Sequence, residues 1–467
     1  MTNDAGHVRE HRVTSSLFTP ETVEPPEKPL AGPGLMAAMR RNMIEAIDAE
    51  LFQLPFRERR SFGRTYLSVC SPELMQAVLL DQADSFGRAP SFQRTFRPVI
   101  GEGLLVAEGA KWRKQRRAAA PIFRHESLLR MIPAIEAAAQ NTVRRLTAPV
   151  PSRPVDVETE MRRATLAVVV QTLLAGLDDE VDADSLARSL RDFAGAMAKP
   201  TLLDLMGAPT WLPSWGRARV RRGVNAMRAE ARQALERRRR KSGDHHDLLD
   251  AMLAARDPKT GEPLSDEELV DNILTFIGAG HETTAVTLTW ALGLIARAPD
   301  VQDRLLAEAR AVLDDGPVTA QAIDQLVYHE QVLNETMRLF TPGPFVLRQA
   351  TRDVELGPIS VRKGTEVWCH LYVLHRSPHL WDQPAAFDPD RFSQERSRGR
   401  HRFAFIPFGA GPRVCIGASF AMMEAKTMLA TLVRAIRFEP SGDQPRPIFQ
   451  VTLRPKGGMA LNLRPRN

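Results

Sequence analysis

Phe408-Gly409-Ala410-Gly411-Pro412-Arg413-Val414-Cys415-Ile416-Gly417 runs directly into an apolar, helix-like stretch from Ala418 to Ala435. Glycine lets a backbone turn tightly and approach a bulky group closely. A cysteine just ahead of a helix N-terminus sits where the partial positive charge of that terminus favours the thiolate. A buried structural cysteine in a glycine-rich turn is the ordinary explanation for such a residue. The density of glycines, and Arg413 two residues before the sulfur, favour a thiolate metal ligand instead, with haem iron as the leading candidate.

Working outward, Ser265 and Glu268 form a capping box at the start of a long helical pattern that continues to about Arg297. At 1.5 Å per residue such a helix is about 45–50 Å long, enough to cross the whole molecule. Its middle reads Ala279-Gly280-His281-Glu282-Thr283-Thr284. Gly278 and Gly280 each cost a helix roughly 0.5–1 kcal/mol relative to alanine. Close packing of two helices would account for them, and so would a helix passing close over a flat cofactor. In the second case an acid and an alcohol side by side can hold water and relay protons to bound dioxygen. His281 is a weaker iron-ligand candidate, since a thiolate already occupies the opposite side.

Glu335 and Arg338 stand three apart on a helical pattern and share a face. The same spacing recurs at Glu160 and Arg163, Glu236 and Arg239, and Glu395 and Arg398. Context selects the first pair, because Phe387-Asp388-Pro389-Asp390-Arg391-Phe392 and then the cysteine loop follow it.

The spacing F-G-x-G-x-R-x-C-x-G resembles the haem-binding loop of the cytochrome P-450 family at every specified position. The [AG]-G-x-[DE]-T run, the E-x-x-R pair and the P-x-R-F segment resemble that family in the same order. The resemblance implies a mainly α fold with a minor β region: a long central helix over haem b, and small sheets from both ends of the chain. It implies Cys415 as the thiolate ligand of the iron, with Phe408, Gly409 and Gly417 shaping the loop around the cofactor. It implies Thr283 and Glu282 as the alcohol and acid of oxygen activation, which favours an oxygen-dependent route over a peroxide-driven one. Arg391 would join Glu335 and Arg338 in a buried structural charge network. Haem propionates need cationic partners, and arginine suits carboxylates through its bidentate fork. Arg413, Arg348 and the W-x-x-x-R pair Trp112 and Arg116 hold family-like positions for that task.

By position, Phe92, Phe96, Val99, Phe276, Ala279, Gly280, Phe345 and Val346 would border the substrate pocket, with the apolar 200–216 loop as its lid. A hydrophobic guest such as a fatty acid, terpenoid or steroid-like molecule is expected. Two basic runs stand out, 113–117 and 237–241. No recognised nucleic-acid module accompanies them. The second run reads as a solvated helix face. In the first, Arg116 would turn inward, while Lys111, Arg113, Lys114 and Arg117 would partly stay outside and attract an acidic electron donor of ferredoxin or flavodoxin type, served by its own reductase.

The 467 residues, 43% hydrophobic and 25% charged, describe a globular chain long enough to bury a cofactor. Cys70, Cys369 and Cys415 are an odd, scattered set, which argues against a disulfide framework and fits a reducing compartment. The polar N-terminus offers no secretion signal or membrane anchor. The expectation is a cytoplasmic monomer of the soluble bacterial type: residues 1–45 an extended lead segment, 46–467 a single catalytic domain. No reductase segment is visible, so electrons would come from a separate protein. A peroxide-driven or rearranging haem-thiolate enzyme and a non-catalytic haem carrier or sensor remain as alternatives.

Along the chain, strands are expected around residues 60–70, then a helix capped at Ser71-Pro72-Glu73. A loop-rich apolar segment over 85–103 follows. Helices are expected over 111–146 with a break at Pro121, and over 159–177, 217–241, 247–256 and 319–340. Short strands follow over 345–371, with a final hairpin over 449–463.

Overall fold

The computed structural model describes residues 17–61, 63–148, 153–173, 217–240, 247–314 and 316–466. The 200–216 segment expected as a lid lies outside the described residues. The architecture hangs on the helix Asp266–Ile295. Its capping box is formed in full: Ser265 Oγ accepts from the Glu268 amide at 3.2 Å, and Glu268 Oε2 accepts from the Ser265 amide at 2.8 Å. From Ala285 to Ile295 every residue is buried. This helix is therefore surrounded by protein, and its sequence there is apolar on all sides rather than striped.

Around it pack helices Val157–Leu173, Arg217–Arg240, Val327–Leu339 and Ala418–Ala435. Trp290 stacks on Phe340 with ring centroids 3.8 Å apart, and its indole N–H donates to the Leu453 carbonyl at 2.8 Å. Asp271 makes a second tie. It accepts from the Glu102 amide at 2.7 Å and pairs with Arg228 at 2.7 Å. Asn272 accepts from the Leu104 amide at 2.9 Å. A Cβ on Gly101 would run into the Asp271 carboxylate, and one on Gly103 into Thr275 Oγ. The 101–104 loop is thus pressed against the long helix through glycines.

A five-stranded sheet runs in the order Phe56–Ser61, Arg64–Val69, Glu366–His370, Phe345–Ala350, Phe86–Arg88. The second and third strands are parallel and the other neighbours antiparallel. A three-stranded sheet joins Val155–Asp156, Ala460–Pro465 and Ile436–Pro440. The two ends of the chain therefore contribute to different sheets. The final hairpin is Pro447–Gln450 with Thr452–Pro455, and the last strand leaves it to pair elsewhere.

Several expectations need correction. Residues Pro90–Ile100 are helical, with Pro98 accommodated inside, rather than loop. The lead segment is not extended throughout: Gly32–Arg41 is a helix, and Phe18 and Val23 pack on the main core. Pro299–Leu313 is a helix that the sequence reading passed over. The run from Arg237 is no uniformly solvated face. Arg238 is buried and held bidentate by Asp247 at 2.7 and 2.6 Å. None of the helices described is long and apolar enough to cross a membrane.

Candidate active site

Cys415 sits in the loop between the turn Gly411–Arg413 and helix Ala418–Ala435. The loop closes through the Cys415 amide, which donates to the Phe408 carbonyl at 2.9 Å. Gly409 and Gly411 both have φ of 71°, the left-handed region that favours glycine. A Cβ on Gly411 would strike the Leu79 carbonyl oxygen. Of the three cysteines, Cys70 and Cys369 are buried in protein, and Cys415 is exposed, onto a cavity of about 390 Å³. Burial pushes the Cys415 thiol up; the Gly417 amide, hydrogen-bonded to it, and Arg116 pull it back.

Phe408, Gly409, Arg413, Gly417, Trp112, Arg116 and Arg348, the residues expected around the cofactor, all line this cavity. So does Arg88, which sequence reasoning missed. The antiparallel register sets Arg88 directly opposite Arg348. Like charges in that arrangement repel. Arg88 is held well below its usual range, by burial first and then by Arg348 and Arg413. Burial lowers Arg348 to about 10. Arg116 and Arg413 are lowered too, again by burial first. Arg413 pairs with Glu108 at 2.8 Å and lies over the Trp112 ring at 4.3 Å. Arg88 Nε is buried and has no hydrogen-bond partner among the described residues. Four guanidiniums thus line one cavity, and Glu108 is the acid acting on three of them. The arrangement lacks negative charge, and a flat group bearing two carboxylates, anchored by a sulfur below, fits it.

Across the cavity, the long helix contributes Thr275, Phe276, Ala279, Gly280, Thr283, Thr284 and Thr287. Thr283 Oγ1 donates to the Ala279 carbonyl at 2.8 Å. The structure separates the expected acid from the alcohol. Glu282 is not part of the cavity wall. It is buried, pairs with Arg162 (Nε to Oε2, 3.1 Å) and accepts from Thr452 Oγ1 at 3.2 Å. Burial alone would raise its pKa, but Arg162 and then His281 hold it below the usual carboxylate range. His281 is buried, has Nδ1 2.9 Å from the Ile277 carbonyl, and also lies off the cavity wall.

Phe92, Phe345 and Val346 complete the expected pocket residues that reach the cavity; Phe96 and Val99 do not. Phe96 packs against Phe92 with centroids 4.6 Å apart, and Val99 belongs to the buried cluster beneath. Leu104, Leu105, Phe123, Met131, Val169 and Leu248 line the wall in their place. They come from elements whose apolar residues look like ordinary core in sequence.

Glu335, Arg338 and Arg391 do meet. Arg338 holds Glu335 bidentate at 2.7 and 2.8 Å, and Arg391 Nε donates to it at 3.0 Å. All three are buried. Arg338 also donates to the His375, Pro384 and Ala386 carbonyls. The equivalent spacing at Glu160 and Arg163 gives an exposed pair at 2.8 Å. On the basic helix, Lys111 and Arg113 are exposed. Lys114 and Arg117 are partly exposed and pair with Glu268 at 3.1 Å and Asp257 at 2.6 Å.

The profile of the family Cytochrome P450 matches residues 24–462. The chain belongs to the cytochrome P450 family. It is 33% identical to cyclooctat-9-en-7-ol 5-monooxygenase of Streptomyces melanosporofaciens over 81% of each chain. It is 32% identical to cyclooctatin synthase of the same organism, covering 95% of this chain and 94% of that one. Cytokinin hydroxylase of Arabidopsis thaliana is 32% identical, over 85% of this chain and 78% of its own length. Among solved structures, the cytochrome P450DA heme domain superimposes with a TM-score of 0.80 at 26% identity, over 96% of this chain and 99% of that one. The protein is a cytochrome P450 monooxygenase whose cofactor is thiolate-ligated haem b. As a P450 it takes dioxygen, a hydrophobic substrate and electrons from a redox partner.

Proposed function

We propose that this P450 hydroxylates a bulky, largely hydrocarbon small molecule of terpenoid type, using electrons from a separate acidic protein. The observation that carries the reading is the cavity wall. Away from the arginines, its lining of Phe92, Phe123, Phe276, Phe345, Val346 and Leu248 is apolar, with spaced hydroxyls such as Thr172 and Thr275. Such a wall recognises shape and one or two oxygens rather than charge. The relatives named for cyclooctat-9-en-7-ol and cyclooctatin support it.

In this reading Cys415 would bind the iron, and Arg88, Arg116, Arg348 and Arg413 with Trp112 would hold the propionates. Haem would supply the dioxygen binding and cleavage that thiolate donation favours. The chain positions the substrate against it, excludes water with the apolar wall, and presents Thr283 to the oxygen side. Glu335, Arg338 and Arg391 brace the segment before the cysteine loop. Exposed Lys111 and Arg113 offer cationic contacts to the donor.

Optical titration of the ferric protein tests the substrate class. A cyclic diterpene alcohol is expected to shift the haem from low to high spin at lower concentration than a long-chain fatty acid or an adenine-based cytokinin. Tighter binding of either of the latter would replace this reading.

A further inference from the structure

Five threonines line the cavity: Thr172 on helix Val157–Leu173, and Thr275, Thr283, Thr284 and Thr287 on helix Asp266–Ile295. Each gives its hydroxyl proton to the carbonyl four residues back in its own helix. Thr172 Oγ1 donates to the Val168 carbonyl at 2.7 Å, and Thr275 Oγ1 to the Asp271 carbonyl at 2.7 Å. Thr283, Thr284 and Thr287 do the same at 2.8, 3.2 and 3.0 Å. A hydroxyl engaged in this way keeps its oxygen lone pairs and has no proton left to offer. Towards the cavity, these five groups are acceptors.

The donors sit elsewhere. Among the described residues of the wall, the side chains carrying N–H groups are Arg88, Arg116, Arg348, Arg413 and Trp112, the set that fits the cofactor's two carboxylates. His281 and Glu282 are off the wall. Apart from the threonines and Cys415, the rest of that wall is apolar. Thr275 stands eight positions before Thr283, about 12 Å along the helix. Thr172 stands on the neighbouring helix, three residues from Val169, whose side chain lies against Gly280. Both are nearly buried, so a guest rather than bulk water meets their oxygens.

We propose that Thr172 and Thr275 determine specificity by accepting a hydrogen bond from an alcohol that the substrate already carries. A guest hydroxyl brings the proton that this wall lacks. A ketone on the same skeleton sets lone pairs against lone pairs, and a threonine can answer it only by giving up its intrahelical bond. A carboxylate meets the same difficulty with charge added. The enzyme therefore selects alcohols over the corresponding ketones, and an alcohol-forming reaction must supply its substrate. The inference rests on the terpenoid reading for the skeleton, and on the threonine hydrogen bonds for the hydroxyl.

The test is optical titration of the ferric, haem-loaded full chain with matched guests. A cyclic diterpene alcohol and its ketone form one pair, and a long-chain alcohol and its ketone form another. In the parent, the alcohol of the better-bound pair is expected to bind about tenfold tighter than its ketone, the worth of one hydrogen bond. In the double variant Thr172→Val with Thr275→Val the two should bind alike, and serine at both positions should restore the preference. A purely structural change would weaken both guests together, so the ratio is the readout. If the double variant does not fold, each single valine variant should narrow the ratio. A ketone bound as tightly as its alcohol by the parent would overturn the proposal. So would a ratio unchanged by the valines. If the long-chain pair binds tighter yet keeps the alcohol preference, the terpenoid reading falls and this inference stands.

Discussion

Within the cavity, single side chains are held in states that water would not allow. Burial raises the Cys415 thiol, and a metal bound there would take the place of its proton. Cys415→Ser is expected to remove the thiolate-type Soret band of the reduced, carbon-monoxide-bound protein. Retention of that band in the folded variant would remove Cys415 as the ligand. Arg88 and Arg348, side by side across a strand pair, oppose each other, and an anion held beside them would relieve this. Arg88→Leu should therefore leave the haem-free protein as stable as the parent or more so, yet release haem roughly tenfold faster, the worth of one charge-assisted hydrogen bond. Transfer of haem to an apo-globin acceptor measures this; equal release rates would exclude Arg88 as a propionate contact. Glu424, buried on helix Ala418–Ala435, has its folded-state pKa raised by burial to about 8 from 4.5. Its contribution is fully present below the unfolded value and is lost as pH rises towards the folded one. Glu424→Gln should accordingly gain on the order of 3 kcal/mol on the parent between pH 5 and pH 8. Denaturation midpoints at the two pH values read this out, and parallel midpoints would show Glu424 ionised in the native state.

At the scale of elements, the charge network shows how burial changes the worth of one spacing. Glu335→Leu would strand Arg338 and Arg391 in a dry site, a loss of about 3–5 kcal/mol. Glu160→Gln, at the same spacing but beside the exposed Arg163, should cost about 1 kcal/mol or less. Denaturant midpoints compare the two, and equal losses would contradict the burial argument. Elements with local signals were legible: the Ser265 capping box, the proline and hydroxyl at Ser71-Pro72, and the apolar run Ala418–Ala435 all form where the pattern puts them. Pro90–Ile100 was not, because Pro98 and scattered phenylalanines imitate a loop. Arg88 stands on a strand of three residues, too short to carry a pattern, and its meaning comes from a partner strand far along the chain. The orientation of Glu282 was hidden likewise, since Arg162 reaches it from a different helix.

For the whole molecule, a net charge of +7 predisposes the surface to anionic partners. Lys114 and Arg117 are spent on Glu268 and Asp257, so the attraction at the basic helix falls to Lys111 and Arg113. Reduction by an acidic ferredoxin should slow as salt rises, and the double change Lys111→Glu with Arg113→Glu should slow it at low salt. Stopped-flow reduction of the carbon-monoxide complex decides it; salt-independent rates would place the donor on another face. Asp271 acts at the same scale. One carboxylate holds the Glu102 amide of the loop beside the cavity and the Arg228 guanidinium of helix Arg217–Arg240. Loop and helix are thereby geared together. A displacement of one would therefore load the other, and the joint between them is a single carboxylate.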